Sequence, residues 1–175
     1  LLEDEVETVN EKLDELDFLF PKAKKVYIEG NHEYRLERFL LNKCPQLFGI
    51  TSWTHLFGLD RRSNWKTVSY GPKQIHQVLG SHLYARHEPY SMSSPKASVT
   101  QSMCNLVYGH KHTIEEAMHV SAQGKPYINW CPGWLGDVRK DLVFNYTNKI
   151  PNWRHGFSLV YVDTATRYFY PQKIH

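Results

Sequence analysis

An α/β fold with an α+β tendency is what this chain predicts, and three observations carry that expectation. Helical and β-type patterns alternate through the first part of its 175 residues. β-type runs dominate the last third. One short β run, Val26, Tyr27 and Ile28, stops at a tight Gly30 and hands over at once to a helical pattern. Alternation of the two periodicities points to helices layered on mixed sheets.

Val6, Val9, Leu13 and Leu16 recur at steps of three and four, which predicts an amphipathic helix closed by Pro21. Residues 26–29 form the first expected strand and 33–42 the next helix, ended by Pro45. Residues 46–66 read as helical turns carrying Trp53, Leu56, Phe57 and Leu59. From 67 to 88 the pattern is β-like, with turns at Gly71-Pro72 and Gly80-Ser81. A Ser- and Pro-rich loop (89–95) precedes a short helix (97–104) and a buried strand (105–108). Further strands are expected at 117–121, 126–131, 156–163 and 167–171, with a turn at Gln123-Gly124. The chain reads as a single domain over 1–175, without repeats or a clear linker.

Composition narrows the function. The hydrophobic fraction is 41% and the charged fraction 22%, ordinary for a globular protein. No apolar run approaches the roughly 20 residues of a membrane span, so no membrane partner is expected. A formal charge of +3 does not by itself imply nucleic-acid binding. Cys44, Cys104 and Cys131 are isolated, with no Cys-x-x-Cys pair, and read as reduced thiols in a cytoplasmic compartment. The ten histidines are the anomaly.

Histidine falls at three strand ends: Asn31-His32, Arg86-His87 and His110-Lys111-His112. Strand ends at the carboxyl edge of a sheet are where open α/β folds assemble sites. Asn offers a carbonyl oxygen, and His an imidazole nitrogen fit for a metal or a proton. If 110–112 is extended, His110 and His112 point to one side, with Cβ atoms roughly 6–7 Å apart. That suits one metal, or two metals about 3.5–4 Å apart with one imidazole on each.

Gly30-Asn31-His32-Glu33, then His87 after a strand, then Gly109-His110-Lys111-His112 resemble, in order and separation, the last three signature blocks of the calcineurin-like metallophosphoesterases. The forms Gly-Asn-His-Glu-Tyr-Arg-Leu-Glu-Arg and Trp153-Arg154-His155-Gly156-Phe157 resemble a bacteriophage and bacterial subgroup. The resemblance implies a layered sandwich of two mixed β-sheets flanked by helices. It implies a two-metal phosphoesterase, with Asn31, His87 and His110 on the second metal and His112 on the first. His32 would stabilise the transferring phosphate and protonate the leaving oxygen. Arg35 and His155 are candidates for substrate contact. The cofactors would be divalent ions (Mn, Fe, Zn or Ni), and the partner a phosphoester, more readily a phosphodiester, with nucleic acid or a nucleotide among the candidates.

Two departures shape that expectation. The family's Asp-x-His and Gly-Asp-x-x-Asp blocks do not occur before Gly30, so the four ligands left are neutral. Neutral ligands leave the repulsion of two cations uncompensated, and at most one ion is expected on this chain. The chain starts with Leu inside an amphipathic helix, which suggests an N-terminally truncated domain whose missing strands and ligands lie upstream. Glu88 also stands where the family has Gly, which leaves His82 and His76 open beside His87. Two other classes remain: a catalytically inactive domain of this fold acting as a binding or scaffold module, and a nucleic-acid binder using Arg61, Arg62, Trp65 and Lys66.

Overall fold

The computed structural model describes residues 2–48, 50–136 and 152–175. They form a mixed α/β structure with helices and several sheets, in two compact units, Leu1–Gln74 and Ile75–His175. No described helix is long and apolar enough to cross a membrane.

The first unit is a β-α-β arrangement. Helix α1 (Leu2–Leu19) leads to strand β1 (Lys25–Ile28), helix α2 (Asn31–Lys43), the short helix α3 (Trp53–Leu56) and strand β2 (Trp65–Val68). β1 and β2 pair in parallel, Lys25 opposite Trp65 and Ile28 opposite Val68. Parallel strands need a crossover, and α2 and α3 supply it. The helical reading of 46–66 therefore ends two residues too late. Trp65, Thr67 and Val68 are β-formers and take the ladder. Leu13, Trp53 and Leu59 form the core, with Val9, Tyr27, Leu36, Phe57 and Trp65 packed on it.

The α1 stripe is apolar only in part. Leu16 is exposed, and the position facing the unit is Asp17. Its carboxylate takes bonds from Lys25 (2.8 Å), Arg62 (2.6 Å), Asn64 (3.0 Å) and the Trp65 indole (2.9 Å). These bonds, led by the one from Lys25, hold its pKa well below the usual carboxylate range. Arg62 also binds Asp14 at 2.6 Å. Of the four residues of the alternative basic-aromatic patch at 61–66, Arg62 and Trp65 are thus bonded to α1, while Arg61 and Lys66 are exposed.

The second unit is built on a five-stranded sheet. Its strands are β3 (His76–Gln77), β4 (Tyr84–Arg86), β5 (Leu106–Tyr108), β6 (Ile114–Val120) and β7 (Pro126–Pro132), in the order β3-β4-β5-β7-β6. β4, β5 and β7 run parallel; β3 and β6 are antiparallel edges. Helix α4 (Pro95–Ser102) crosses between β4 and β5. It starts two residues earlier than the pattern suggests, because Ser94 accepts the Ala97 amide at 3.1 Å and Pro95 fits the first turn. The β6–β7 turn falls at Gln123-Gly124, where Gly124 has φ +77°. A hairpin of β8 (Phe157–Val162) and β9 (Phe169–Ile174) is tied to β7 by the Trp130 indole, which donates to Ser158 Oγ at 3.1 Å. Leu106, Tyr108 and Cys131 are the buried centre, and the three cysteines are free thiols.

Candidate functional site

Each unit presents histidine where a parallel strand ends. In the first, β1 runs out through Glu29 and Gly30, and α2 begins at Asn31. Glu33 fixes this junction twice: its carboxylate accepts the Gly30 amide at 3.0 Å and the Tyr27 hydroxyl at 2.8 Å. A Glu in the first turn that reaches back to the cap amide is half of a capping box. His32 is exposed and Asn31 half-buried, both on the first turn, where backbone amides have no helical partner.

Beneath them lies Glu29, 2% exposed. One carboxyl oxygen accepts the Tyr70 amide at 2.7 Å, and its backbone carbonyl accepts Gln74 Nε2 at 2.7 Å. Among the described residues the other oxygen has no partner. Burial pushes this carboxyl above its ordinary pKa. An acidic side chain next to the motif gave no periodic signal to mark it as buried.

In the second unit, β4 and β5 end side by side, Arg86 opposite Tyr108, and the Gly109 amide extends the ladder to the His87 carbonyl at 2.9 Å. This brings His87 Nε2 to 3.1 Å from His110 Nδ1, with the rings edge to face at 85°. Of the three histidines considered for this position, His87 is the one whose ring meets His110. His76 lies within β3, and His82 is exposed in the preceding turn.

The 110–112 stretch is not extended. His110 has φ +65° and His112 φ +57°, both left-handed, and the Lys111 amide closes a three-residue turn onto the Gly109 carbonyl at 2.7 Å. Such a turn is strained for a residue with a Cβ, by about 1–3 kcal/mol. The expectation that His110 and His112 project together from a strand is corrected accordingly, and the two rings have different neighbours. His112 stacks on Trp134 (5.5 Å between centroids) and meets Trp153 edge-on (4.6 Å). Its carbonyl accepts the Arg154 amide at 2.8 Å; Trp134 and Arg154 are bonded at 2.9 Å, and Gly156 to Trp134 at 3.0 Å. His155 is exposed and bridges Trp134 through the backbone. Arg35 is exposed on α2.

Trp134 was read as packing, and Trp153 entered only within the Trp153–Phe157 block of the resemblance, so neither was marked as a neighbour of His112. The signal was their neighbours. A Cβ on Gly133 would lie 2.7 Å from the Arg154 carbonyl oxygen, and one on Gly156 2.7 Å from that of Pro132. These glycines let the two tryptophan-bearing segments approach.

Two ligands of one divalent cation, at metal–nitrogen lengths of about 2.0–2.1 Å, place their nitrogens about 2.9–3.4 Å apart. The 3.1 Å between His87 and His110 fits such a pair, and equally fits two imidazoles sharing a proton. The buried Thr113 hydroxyl, one residue beyond His112, has no partner among the described residues. Among those residues no group of three His, Cys, Asp or Glu is placed to hold a metal. No protein-family profile, curated protein or solved structure matches the chain.

Proposed function

We propose that this chain carries part of the site of a metal-dependent phosphoesterase of the calcineurin-like metallophosphoesterase type. The observation that supports it most is the His87–His110 pair, two ring nitrogens at 3.1 Å at the ends of adjacent parallel strands. His87 and His110 would hold a divalent cation, with His112 as the further donor of the same unit that the sequence resemblance implies. A bound cation of this kind polarises a phosphoryl oxygen and lowers the pKa of a water. His32, exposed on the first turn of α2, holds a phosphate oxygen. It then gives its proton to the ester oxygen as the phosphorus–oxygen bond breaks and water adds to phosphorus, the water's own proton passing to solvent.

A second reading is a binding module without catalysis, favoured by the lack of a third charged or imidazole donor beside the pair among the described residues. Hydrolysis of an aryl phosphodiester with added Mn²⁺ separates them, run on the chain and on any longer product of its gene. The enzyme reading expects turnover that falls about 100-fold or more in His110→Ala or His32→Ala. Inert protein across a range of divalent cations leaves the binding module.

A further inference from the structure

The two edges of the five-stranded sheet are built differently. β3 is two residues long, too short to recruit a strand, whereas β6 runs for seven residues, Ile114–Val120. Natural edges are guarded by shortness, a proline, a bulge or a lysine. β6 has no proline and no lysine, and its register with β7 is unbroken from end to end, so it has no bulge either. On it Met118 and Val120 leave 66% and 59% of their surface exposed.

The backbone of β6 faces two ways in alternation. At the turn the Ser121 amide donates to the Lys125 carbonyl at 2.9 Å, so residues 115, 117 and 119 are the ones bonded to β7. Pro132, which has no amide, accordingly stands in a non-bonded place opposite Ile114. The amides and carbonyls of Ile114, Glu116, Met118 and Val120 point away from β7, and among the described residues nothing bonds to them.

We infer that this edge pairs with the same edge of a second copy, antiparallel about a two-fold axis at Ala117. Ile114 then meets Val120 of the second copy and Glu116 meets its Met118, each pair exchanging bonds through the groups that β7 leaves open. Glu115 comes opposite His119 of the second copy, an acid against an imidazole, and the symmetry repeats the match. Glu115 gives one oxygen to the Tyr108 hydroxyl at 2.8 Å and keeps the other for the ring. Ala117 falls on the axis in a non-bonded pair, where Cα atoms approach to about 4.5 Å and a small side chain is needed. Neighbouring registers are worse. Centring on Glu116 sets two glutamates against each other, and centring on Met118 leaves Ile114 outside the pairing. A foreign strand would find the same open backbone; the match of Glu115 to His119 and Ile114 to Val120 within one sequence points to a second copy. The inference is independent of the phosphoesterase reading. One strand pair buries less than a standard interface, so the dimer is weak, with Kd on the order of 10–100 µM.

The test is sedimentation velocity of the whole chain from about 5 to 500 µM, where a reversible monomer–dimer equilibrium is expected. Met118→Pro removes an outward amide and spares the β7 ladder; it is expected to weaken dimerisation about 10-fold or more. Ala117→Cys is expected to form a disulfide dimer under oxidised glutathione about 10-fold faster than Val120→Cys, because only residue 117 meets its own copy within disulfide reach. The inference is overturned if the unaltered chain stays monomeric throughout, which leaves the edge to a strand of another protein, or if it forms open-ended polymers. Unweakened dimers of a natively folded Met118→Pro chain also overturn it, as does equal cross-linking of the two cysteine variants. If Met118→Pro does not fold, the cysteine comparison decides.

Discussion

The two histidine-bearing turns solve one problem by opposite means. At Gly30-Asn31-His32 the chain passes from strand to helix with relaxed backbone, Gly30 at φ −94°, and polar bonds to Glu33 fix the junction. At Gly109-His110-Lys111-His112 the backbone is left-handed twice, and close packing holds it: ring against ring at His87 and His110, and tryptophans on His112. A turn set by local hydrogen bonds tolerates changes around it and fails when a bond is cut. A turn set by strain and packing fails when its neighbours are pushed apart.

The largest expected effect follows from packing. Gly156→Ala puts a Cβ 2.7 Å from the Pro132 carbonyl oxygen and 2.8 Å from that of Ile174, both backbone atoms. It should destabilise the second unit by about 2–4 kcal/mol in denaturant unfolding. Gly109→Ala is the contrast, since its Cβ would meet only ordinary contacts, 3.5 Å from His87 oxygen. That change should cost less than about 1 kcal/mol, although Gly109 stands inside the motif and Gly156 outside it.

In the first unit the corresponding weak point is polar. Asp17→Asn removes the carboxylate shared by Lys25 and Arg62, whose side chains are only 9% and 16% exposed. A loss of about 2 kcal/mol at neutral pH is expected, because buried cations lose their counter-charge. The pH dependence has a definite sign. Asp17 has a depressed folded pKa, so its contribution is complete above the ordinary carboxylate range and is lost as pH falls through the folded value. The unaltered chain should lose stability over that acidic window, and Asp17→Asn should show a flatter profile there.

The same contrast explains what was legible in the sequence. Helix α2 and strand β5 were visible because hydrophobic spacing and capping are local, and Gly30-Asn31-His32-Glu33 carries its own cap in Glu33. The expected His110–His112 geometry failed because an extended run was assumed where packing imposes left-handed backbone; nothing in Gly-His-Lys-His encodes that. In the 61–66 stretch long-range bonding was equally invisible. Arg62 and Trp65 find their partner in Asp17, 45 and 48 residues away, and charge counting does not see partners. The expected sandwich of two layered sheets was a finer statement than the mixed α/β structure bears.

Smaller effects sharpen the comparison of the two turns. Glu33→Ala cuts the bonds to Gly30 and Tyr27 and should cost about 1–2 kcal/mol in thermal or denaturant unfolding. His110→Gly should be more stable than His110→Ala by about 1–2 kcal/mol, because only glycine takes φ +65° without strain. Equal stability of the two would mean that packing does not hold a strained turn.

The most direct measurement is nitrogen-15 NMR of the histidine rings during titration with Zn²⁺. The account predicts that His87 Nε2 and His110 Nδ1 shift together at one metal equivalent, and that His87→Ala abolishes the response at His110. If the two rings respond independently, or only His119 and other surface histidines respond, the pair is a proton-sharing structural contact and the metal-dependent reading is contradicted.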